Sequence, residues 1–379
     1  MTVSVQRHDA LRSYGYIRTA HLERFKVMVP ADVLFTKNRY DYDESQADAG
    51  ARPVRMSRLG VVKHLLRHRY RVVEVNEPMA SNRWLDVLAQ VVAIRLRGGF
   101  GRGRTRIAAY CIGYSDPARE MLDKRSWMPF AVARATSWAV GNVLVRSVDR
   151  LAFGTAGSYE MYAGYVGRRA LAKRSAMFEA LPAPCECDEG VPDDTAANRL
   201  IFVGSFQDRK GIRQLMAGWN VLRGKHSQYS LQLVGKGPLL DEVTAWAADR
   251  PEVRLDADPP RAFIHASMRN AKALVLLSQR VGGWREQIGL PLVEGLSHGL
   301  EIVATEETGL APWLSAHGHV VLAYTAEPSE IADGLVRALQ ATRSKSEVLH
   351  DLPAVDQRIE ADRWMLLPEY PLTPGNAVR

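Results

Sequence analysis

Apolar positions along this chain recur with two periods, and stretches of the two kinds alternate. In the first half, "FKVMV" (25–29) reads as a strand and "GVVKHLLRHRY" (60–70) has apolar residues at helical spacing. "RVVEV" (71–75) is the next strand, and "WLDVLAQVVAIRL" (84–96) a helix. "TRIAAYCIGY" (105–114) is a strand, residues 118–147 a long helical segment, and "DRLAFGT" (149–155) a strand again. The second half repeats the alternation. Strands are predicted at 199–205, 229–235, 253–256, 273–278 and 301–305, with helices at 211–222, 238–250, 259–271 and 328–340. Strands separated by helices imply parallel sheets with helices on both faces, so the pattern predicts two doubly wound α/β domains.

Between the halves lies "ALPAPCECDEGVPDDTAANR" (180–199), with three prolines, five acidic residues and little periodic apolar content. It reads as a linker. The expected division is an N-terminal domain over 1–180, a linker over 181–199, and a C-terminal domain over 200–342. A tail over 343–379 is expected to pack back on the N-terminal domain. A length of 379 residues suits two domains.

Charge changes the picture. Residues 1–180 hold 30 Lys and Arg against 16 Asp and Glu, a net of +14. The remainder holds 20 against 26, a net of −6. The basic half should therefore meet something anionic. Trp127, Phe130 and Trp138, near Lys124 and Arg125, point to an anionic membrane surface. A buried helix with ordinary basic exposure fits the same residues. "RLRGGFGRGRTR" (95–106) alternates five arginines with glycines, the composition of a mobile basic loop or an RNA-binding segment. The start of the chain has no signal-peptide core, and Arg134 interrupts the most apolar stretch (128–145), so no membrane span is expected. Three cysteines, Cys111, Cys185 and Cys187, do not make a disulfide framework, which points to a reducing cytosol.

The residues richest in chemistry are "EQIGLPLVEGLSHG" (286–299). Pro291 favours the first helical position, so a helix should begin at Gly289–Leu290. Glu286 then precedes the helix and Glu294 projects from its first turn, where a carboxylate also suits the helix dipole. Outward-facing amides of Gly289, Leu290 and Leu292 would make an anion site with a carboxylate on either side.

With Glu286, Ile288, Gly289, Leu290, Glu294, Gly295 and Gly299 in place, this segment resembles the Glu-x7-Glu motif of the retaining GT-B glycosyltransferases of family 4. The resemblance covers about 199–342. It implies that Glu286 contacts a donor sugar, Glu294 holds the ribose hydroxyls, and the Ile288, Gly289 and Leu290 backbone meets sugar and diphosphate. "FVGSFQDRKGI" (202–212) looks like the family's diphosphate clamp, with Arg209 and Lys210 as its cations. Where the family usually has Gly-Arg, this chain has Gly204-Ser205, and Arg209 stands in. "LVGKGPLLDEV" (233–243) matches the family's Gly-x-Gly-Pro through Gly235 and Gly237, and "TGLAPWL" (308–314) resembles the segment that closes near the donor.

The first domain resembles the family only in its alternation. "MVPADVLFTKNRY" lacks the family's Gly-Gly loop, leaving Lys37 or Arg39 as donor contacts from this side. The acceptor-side residue falls in "YCIGYSDP": Asp116, beside Tyr114 and Ser115, although an aspartate before proline is also a turn former.

Asp256 and Asp258 have Asp-x-Asp spacing, but no metal is expected, nor any cofactor other than a nucleotide diphosphate sugar as donor substrate. The absence of Walker, His-Glu-x-x-His and Gly-x-Ser-x-Gly sequences leaves NTPase, zincin and serine-hydrolase chemistry without support. The implied fold is GT-B, two Rossmann-like domains facing each other across a cleft. The implied activity is transfer of a hexose from UDP- or GDP-hexose to a glycan or lipid-linked hydroxyl with retention, in the cytoplasm or peripherally at the inner face of the plasma membrane. Two other classes stay open: a non-catalytic nucleotide-sugar-binding subunit, and a nucleic-acid-binding protein using the arginine loop.

Overall fold

Burying an arginine inside a strand requires a partner, and Arg12 in the first strand of this protein has two, Asp362 and Glu74. The computed structural model describes residues 8–39, 42–47, 53–98, 103–186, 198–282, 284–372 and 376. It divides into two units, 1–179 with 357–379, and 180–356.

Unit 1 runs β1 (Ala10–Ile17), α1 (Thr19–Phe25), β2 (Asp32–Asn38), β3 (Val54–Arg55), α2 (Arg58–Arg67), β4 (Val72–Glu74) and α3 (Trp84–Gly98). It continues with β5 (Arg106–Cys111), α4 (Pro117–Lys124), α5 (Phe130–Ser147), β6 (Arg150–Phe153), α6 (Ala156–Val166), α7 (Arg168–Ala172) and β7 (Ser175–Met177). The seven strands form one sheet in the order β3-β2-β1-β4-β5-β6-β7, every pair parallel.

The strand expected at 25–29 is not there: Phe25 ends α1, and Met28 packs with Ile17, Leu22 and Val33. The strands missed in this unit are β1, β2, β3 and β7; in β1, "ALRSYGYI", Arg12 and Ser13 are buried and so break the alternation of apolar and polar positions. The long helix expected over 118–147 is two, α4 and α5, with Pro129 at the start of the second. Proline disfavours a helical residue before it, which stops α4 from running through.

Unit 2 runs β8 (Arg199–Val203), α8 (Ile212–Arg223), β9 (Ser230–Gly235), α9 (Leu240–Ala248), β10 (Val253–Ala257), α10 (Arg261–Arg269) and β11 (Ala273–Leu276). Then come α11 (Leu290–Ser297), β12 (Glu301–Thr305), α12 (Ala311–Ala316), β13 (Val320–Leu322), α13 (Pro328–Leu339) and α14 (Lys345–His350). Its six strands are parallel in the order β10-β9-β8-β11-β12-β13. Leu200, Ile201 and Phe202 on β8 and Leu274, Val275 and Leu276 on β11 are all buried, as expected for strands covered on both faces. The strand order reverses between β8 and β11. In open parallel sheets such a switch point leaves a crevice at the carboxyl ends of the strands, where ligands bind.

Residues 343–356 stay with unit 2, where α14 packs against α11. The last helix, α15 (Gln357–Leu366), returns to unit 1 and lies against β4, β5 and β6. Ala361, Trp364, Met365 and Leu366 meet a sheet face that is mostly small: Ala10, Val72, Ala108, Ala152 and Ala176. Small side chains let a helix approach a sheet closely, and the closer approach buries the Trp364 ring against Phe178. In the same layer Arg12 donates to both oxygens of Asp362 at 2.7 and 2.8 Å, and Arg358 donates to Glu74 at 2.6 Å. All four side chains are buried.

Candidate functional site

The loops leaving β8 and β11 carry the second unit's chemistry. Gly211 makes their contact possible. Its φ is +71°, and a Cβ there would sit 1.8 Å from the carbonyl oxygen of Leu277. The amide of Gln279 also donates to the carbonyl of Arg209 at 3.0 Å. A single helical turn, Asp208–Lys210, then presents two cations beside the β11 loop.

Lys210 forms an ion pair with Glu286, whose same oxygen accepts from the Ser278 hydroxyl at 3.2 Å. Arg209 donates to Gln207 at 2.8 Å, Gln207 donates to Ser205 at 2.7 Å, and the Arg209 guanidinium lies 4.7 Å from the centre of the Trp284 ring. A side-chain relay thus leads from Ser205 to Arg209. Gly204 donates to the carbonyl of Val234 and Phe206 to that of Lys236, which brings Gly204, Ser205, Gly235 and Gly237 together.

Helix α11 begins as its proline predicts, after Gly289 at φ +82°. Among the described residues nothing accepts from the amides of Gly289 and Leu290. The amide of Leu292, expected to face outward, instead donates to the carbonyl of Gly289 at 2.9 Å and is not available to a ligand. The cause is a tight first turn, in which a three-residue bond closes early. Thr308 donates to the carbonyl of Ile288 at 2.6 Å, and Gly309 to that of Gln287 at 3.1 Å, so the 308–314 segment steadies the approach to the helix.

Glu294 is the fifth residue of α11 and not in its first turn. The dipole does not account for it. Its carboxylate accepts from Arg261, the first residue of α10, at 2.6 Å. Arg261 was not singled out from the sequence, and neither was Glu307. Glu307 is fully buried, and its two oxygens accept from Arg280 and Arg285 at 2.7 Å each. Two cations from the β11 loop closing on one carboxylate after β12 fix that loop, including Trp284 between them. A Glu-Glu-Thr sequence carries no periodic signal that would reveal it.

The other candidates are placed as follows. Asp256 is held by Gln232 and Arg254, and Asp258 by Lys236, both as ordinary polar partners. In unit 1, Asp116 caps α4 by accepting from Ala118 at 2.9 Å and also accepts from the Tyr165 hydroxyl. Its loop is anchored by Glu77, which accepts from the amides of Ile112 and Gly113 at 3.0 Å. Arg39 lies over the Tyr16 ring. Residues 99–102 of the arginine-glycine stretch, Cys187, and residues 187–197 of the linker lie outside the described residues.

Burial raises the Glu77 carboxyl to about 7, against the amide bonds that favour its charged form. The folded chain therefore keeps a proton there that the unfolded chain has lost between about pH 4.5 and 7. This carboxylate's contribution to stability should fall as pH rises through that window, by roughly 3 kcal/mol in all, and stay level above it. Chemical denaturation at pH 5, 6, 7 and 8 should show Glu77→Gln flattening that slope relative to the unsubstituted chain. Parallel curves would refute it.

Away from the loops, Cys185 lies with His265 and His298, their ligand atoms within 4.8 Å of one another. Cys185 is disulfide-bonded, contrary to the expectation of free thiols, so the three do not form a ligand set here. Burial, then the neighbouring His265, lowers His298 to about 4.

Residues 197–341 match a protein family described as "Glycosyl transferases group 1". No curated protein matches the chain. Among solved structures the chain is similar to WaaG, a glycosyltransferase involved in lipopolysaccharide biosynthesis, at 14% identity and a TM-score of 0.62, over 94% of this chain and 99% of that one. It is similar to HepE of Anabaena in complex with UDP and glucose, at 12% identity and 0.60, over 95% and 96%. It is also similar to the UDP-forming trehalose-phosphate synthase of Burkholderia xenovorans, at 12% and 0.61, over 93% and 96%.

Proposed function

From a GT-B fold whose residues 197–341 match the group 1 glycosyltransferases, we propose that this chain moves a hexose from a nucleotide diphosphate sugar to a hydroxyl of a lipid-linked or polysaccharide acceptor, in the cytoplasm and with retention at the anomeric carbon. The observation that carries the reading is the cluster at the switch point of unit 2. Lys210 pairs with Glu286, Arg209 lies over the Trp284 ring of the same loop, and α11 opens after them with the amides of Gly289 and Leu290, from which nothing accepts among the described residues. Two cations and a helix start suit a diphosphate, while two carboxylates eight residues apart suit the hydroxyls of a sugar and a ribose. HepE has been solved with UDP-glucose, which supports a UDP-hexose as donor, with GDP-hexose the other choice.

In this mechanism Lys210, Arg209 and the Gly289–Leu290 amides stabilise negative charge as the sugar–phosphate bond breaks. Glu286 orients the hexose and Glu294 the ribose, the latter in exchange for Arg261. The departing phosphate itself takes the acceptor proton, and Lys210, Arg209 and the helix amides supply the charge stabilisation a divalent metal would otherwise give. Asp116, on the loop that Glu77 anchors, faces the acceptor.

A thermal-shift panel of UDP-, GDP- and ADP-hexoses tests the donor site. A ligand at 100 times its Kd stabilises by about 2.7 kcal/mol. One base class should raise the Tm, and Glu294→Ala should abolish the rise. No shift with any of them would overturn the reading, and an inverted product anomer would overturn retention alone. The short link from β1 to α1, Ile17-Arg18-Thr19, holds no glycine pair, which favours a second reading as a nucleotide-sugar-binding subunit. That reading predicts the thermal shift without turnover.

A further inference from the structure

Unit 1 exposes apolar side chains where a water-facing helix normally carries polar ones. α3 buries Val87, Val91 and Ile94, yet it turns Leu85, Leu88, Val92 and Leu96 to solvent. These four recur at spacings of three and four, a single stripe along the helix. Leu85 is 81% exposed and Leu96 70%. α5 packs against α3 and adds exposed Trp138 and Val143. An apolar face of this extent, rimmed by charge, marks an interaction surface.

The charge identifies the occupant. α2, α3 and α5 together hold seven Lys and Arg and one carboxylate, Asp86. Asp86 is paired with Arg58 and Arg83, so it does not offset the rest. Lys63, Arg67, Arg97, Arg134 and Arg146 are exposed on the same three helices. A second copy docked face to face through a two-fold axis would oppose these cations to their own images. No helix among the described residues is long and apolar enough to cross a membrane.

We propose that the α3–α5 face docks this chain flat on an anionic lipid bilayer. The stripe enters the boundary between headgroups and acyl chains, and the arginines and Lys63 meet the lipid phosphates. Trp138 suits that boundary because its ring is apolar and its N–H polar. The inference stands apart from the transfer reading, since none of these residues belongs to the donor site.

Flotation of the full chain with two vesicle preparations is the test: phosphatidylcholine alone, and equal parts phosphatidylcholine and phosphatidylglycerol. The chain should float with the mixed vesicles and not with the neutral ones, and added salt should release it. Leu85→Glu/Leu96→Glu should reduce partitioning about tenfold or more while leaving the donor-induced thermal shift intact. Both positions are open to water, so the variant folds. Failure to float with mixed vesicles, equal binding to both kinds, or full binding by the double variant would each overturn the proposal. So would a dimer in vesicle-free solution that the double variant dissociates, which would assign the face to a second copy. Loss of the donor shift in the unsubstituted chain would instead overturn the transfer reading and leave this one standing.

Discussion

Lys210→Ala is expected to lower kcat/KM for donor turnover by roughly 10²- to 10³-fold, about 3 to 4 kcal/mol of transition-state stabilisation. The lysine is held in place before any ligand arrives. Gly211 pins its loop against Leu277, and Glu286 fixes the ammonium beside the start of α11. A cation already aimed at the site where charge develops needs no reorganisation at the moment of bond cleavage, which is why one residue counts for so much. The kcat–KM split is informative. If Lys210 acts on the leaving phosphate, kcat falls with kcat/KM, whereas a ground-state contact would raise KM alone. Release of nucleoside diphosphate, measured over a range of donor concentrations, separates the two. A loss smaller than about threefold would remove Lys210 from the mechanism. Such a loss would move attention to Arg209, which the Trp284 ring and Gln207 already steady.

The second unit was more legible in the sequence than the first, for a physical reason. Its strands are covered on both faces and read as unbroken apolar runs, and its glycines and prolines stand where turns and helix starts require them. β1 carries the opposite message. Arg12 and Ser13 are inside, and no local pattern distinguishes a buried arginine from an exposed one when its partner, Asp362, lies at the other end of the chain. The Glu-x7-Glu segment put Glu286 before the helix as found, placed Glu294 a turn too early, and did not show what either touches. Lys210 and Arg261 reach them only through the packing of separate loops and helices. The Leu292 amide was misassigned because the tightness of a helix's first turn is a backbone detail that residue types do not encode. α3 shows the limit of periodicity itself. A helix apolar on two faces reads as core, and only the packing reveals that Leu85, Leu88, Val92 and Leu96 have nothing over them.

Asp362→Ala is expected to destabilise unit 1 by about 3 to 5 kcal/mol, the cost of leaving a buried charge without its partner. Asp362 is fully buried and accepts four hydrogen bonds: three from two nitrogens of Arg12 and, at 2.9 Å, one from the amide of Val29. Removing it leaves the Arg12 guanidinium, which is 1% exposed, with Glu74 at 3.5 Å, the carbonyl of Val29 and the Phe25 ring at 5.6 Å. It also leaves a backbone donor unsatisfied. α15 should loosen first, because one of its two buried polar attachments is lost while Arg358–Glu74 and the apolar contact of Trp364 and Met365 with the alanine-lined sheet remain. Chemical denaturation reads the stability. Limited proteolysis reads the loosening, with cleavage expected to move into 357–366. The double variant Arg12→Met/Asp362→Leu should recover much of the loss, since a buried ion pair replaced by apolar groups of similar size is often neutral. If Asp362→Ala costs less than about 1 kcal/mol, the helix is held by its apolar face and Arg358–Glu74, and the Arg12–Asp362 pair contributes little to joining the two ends of the chain.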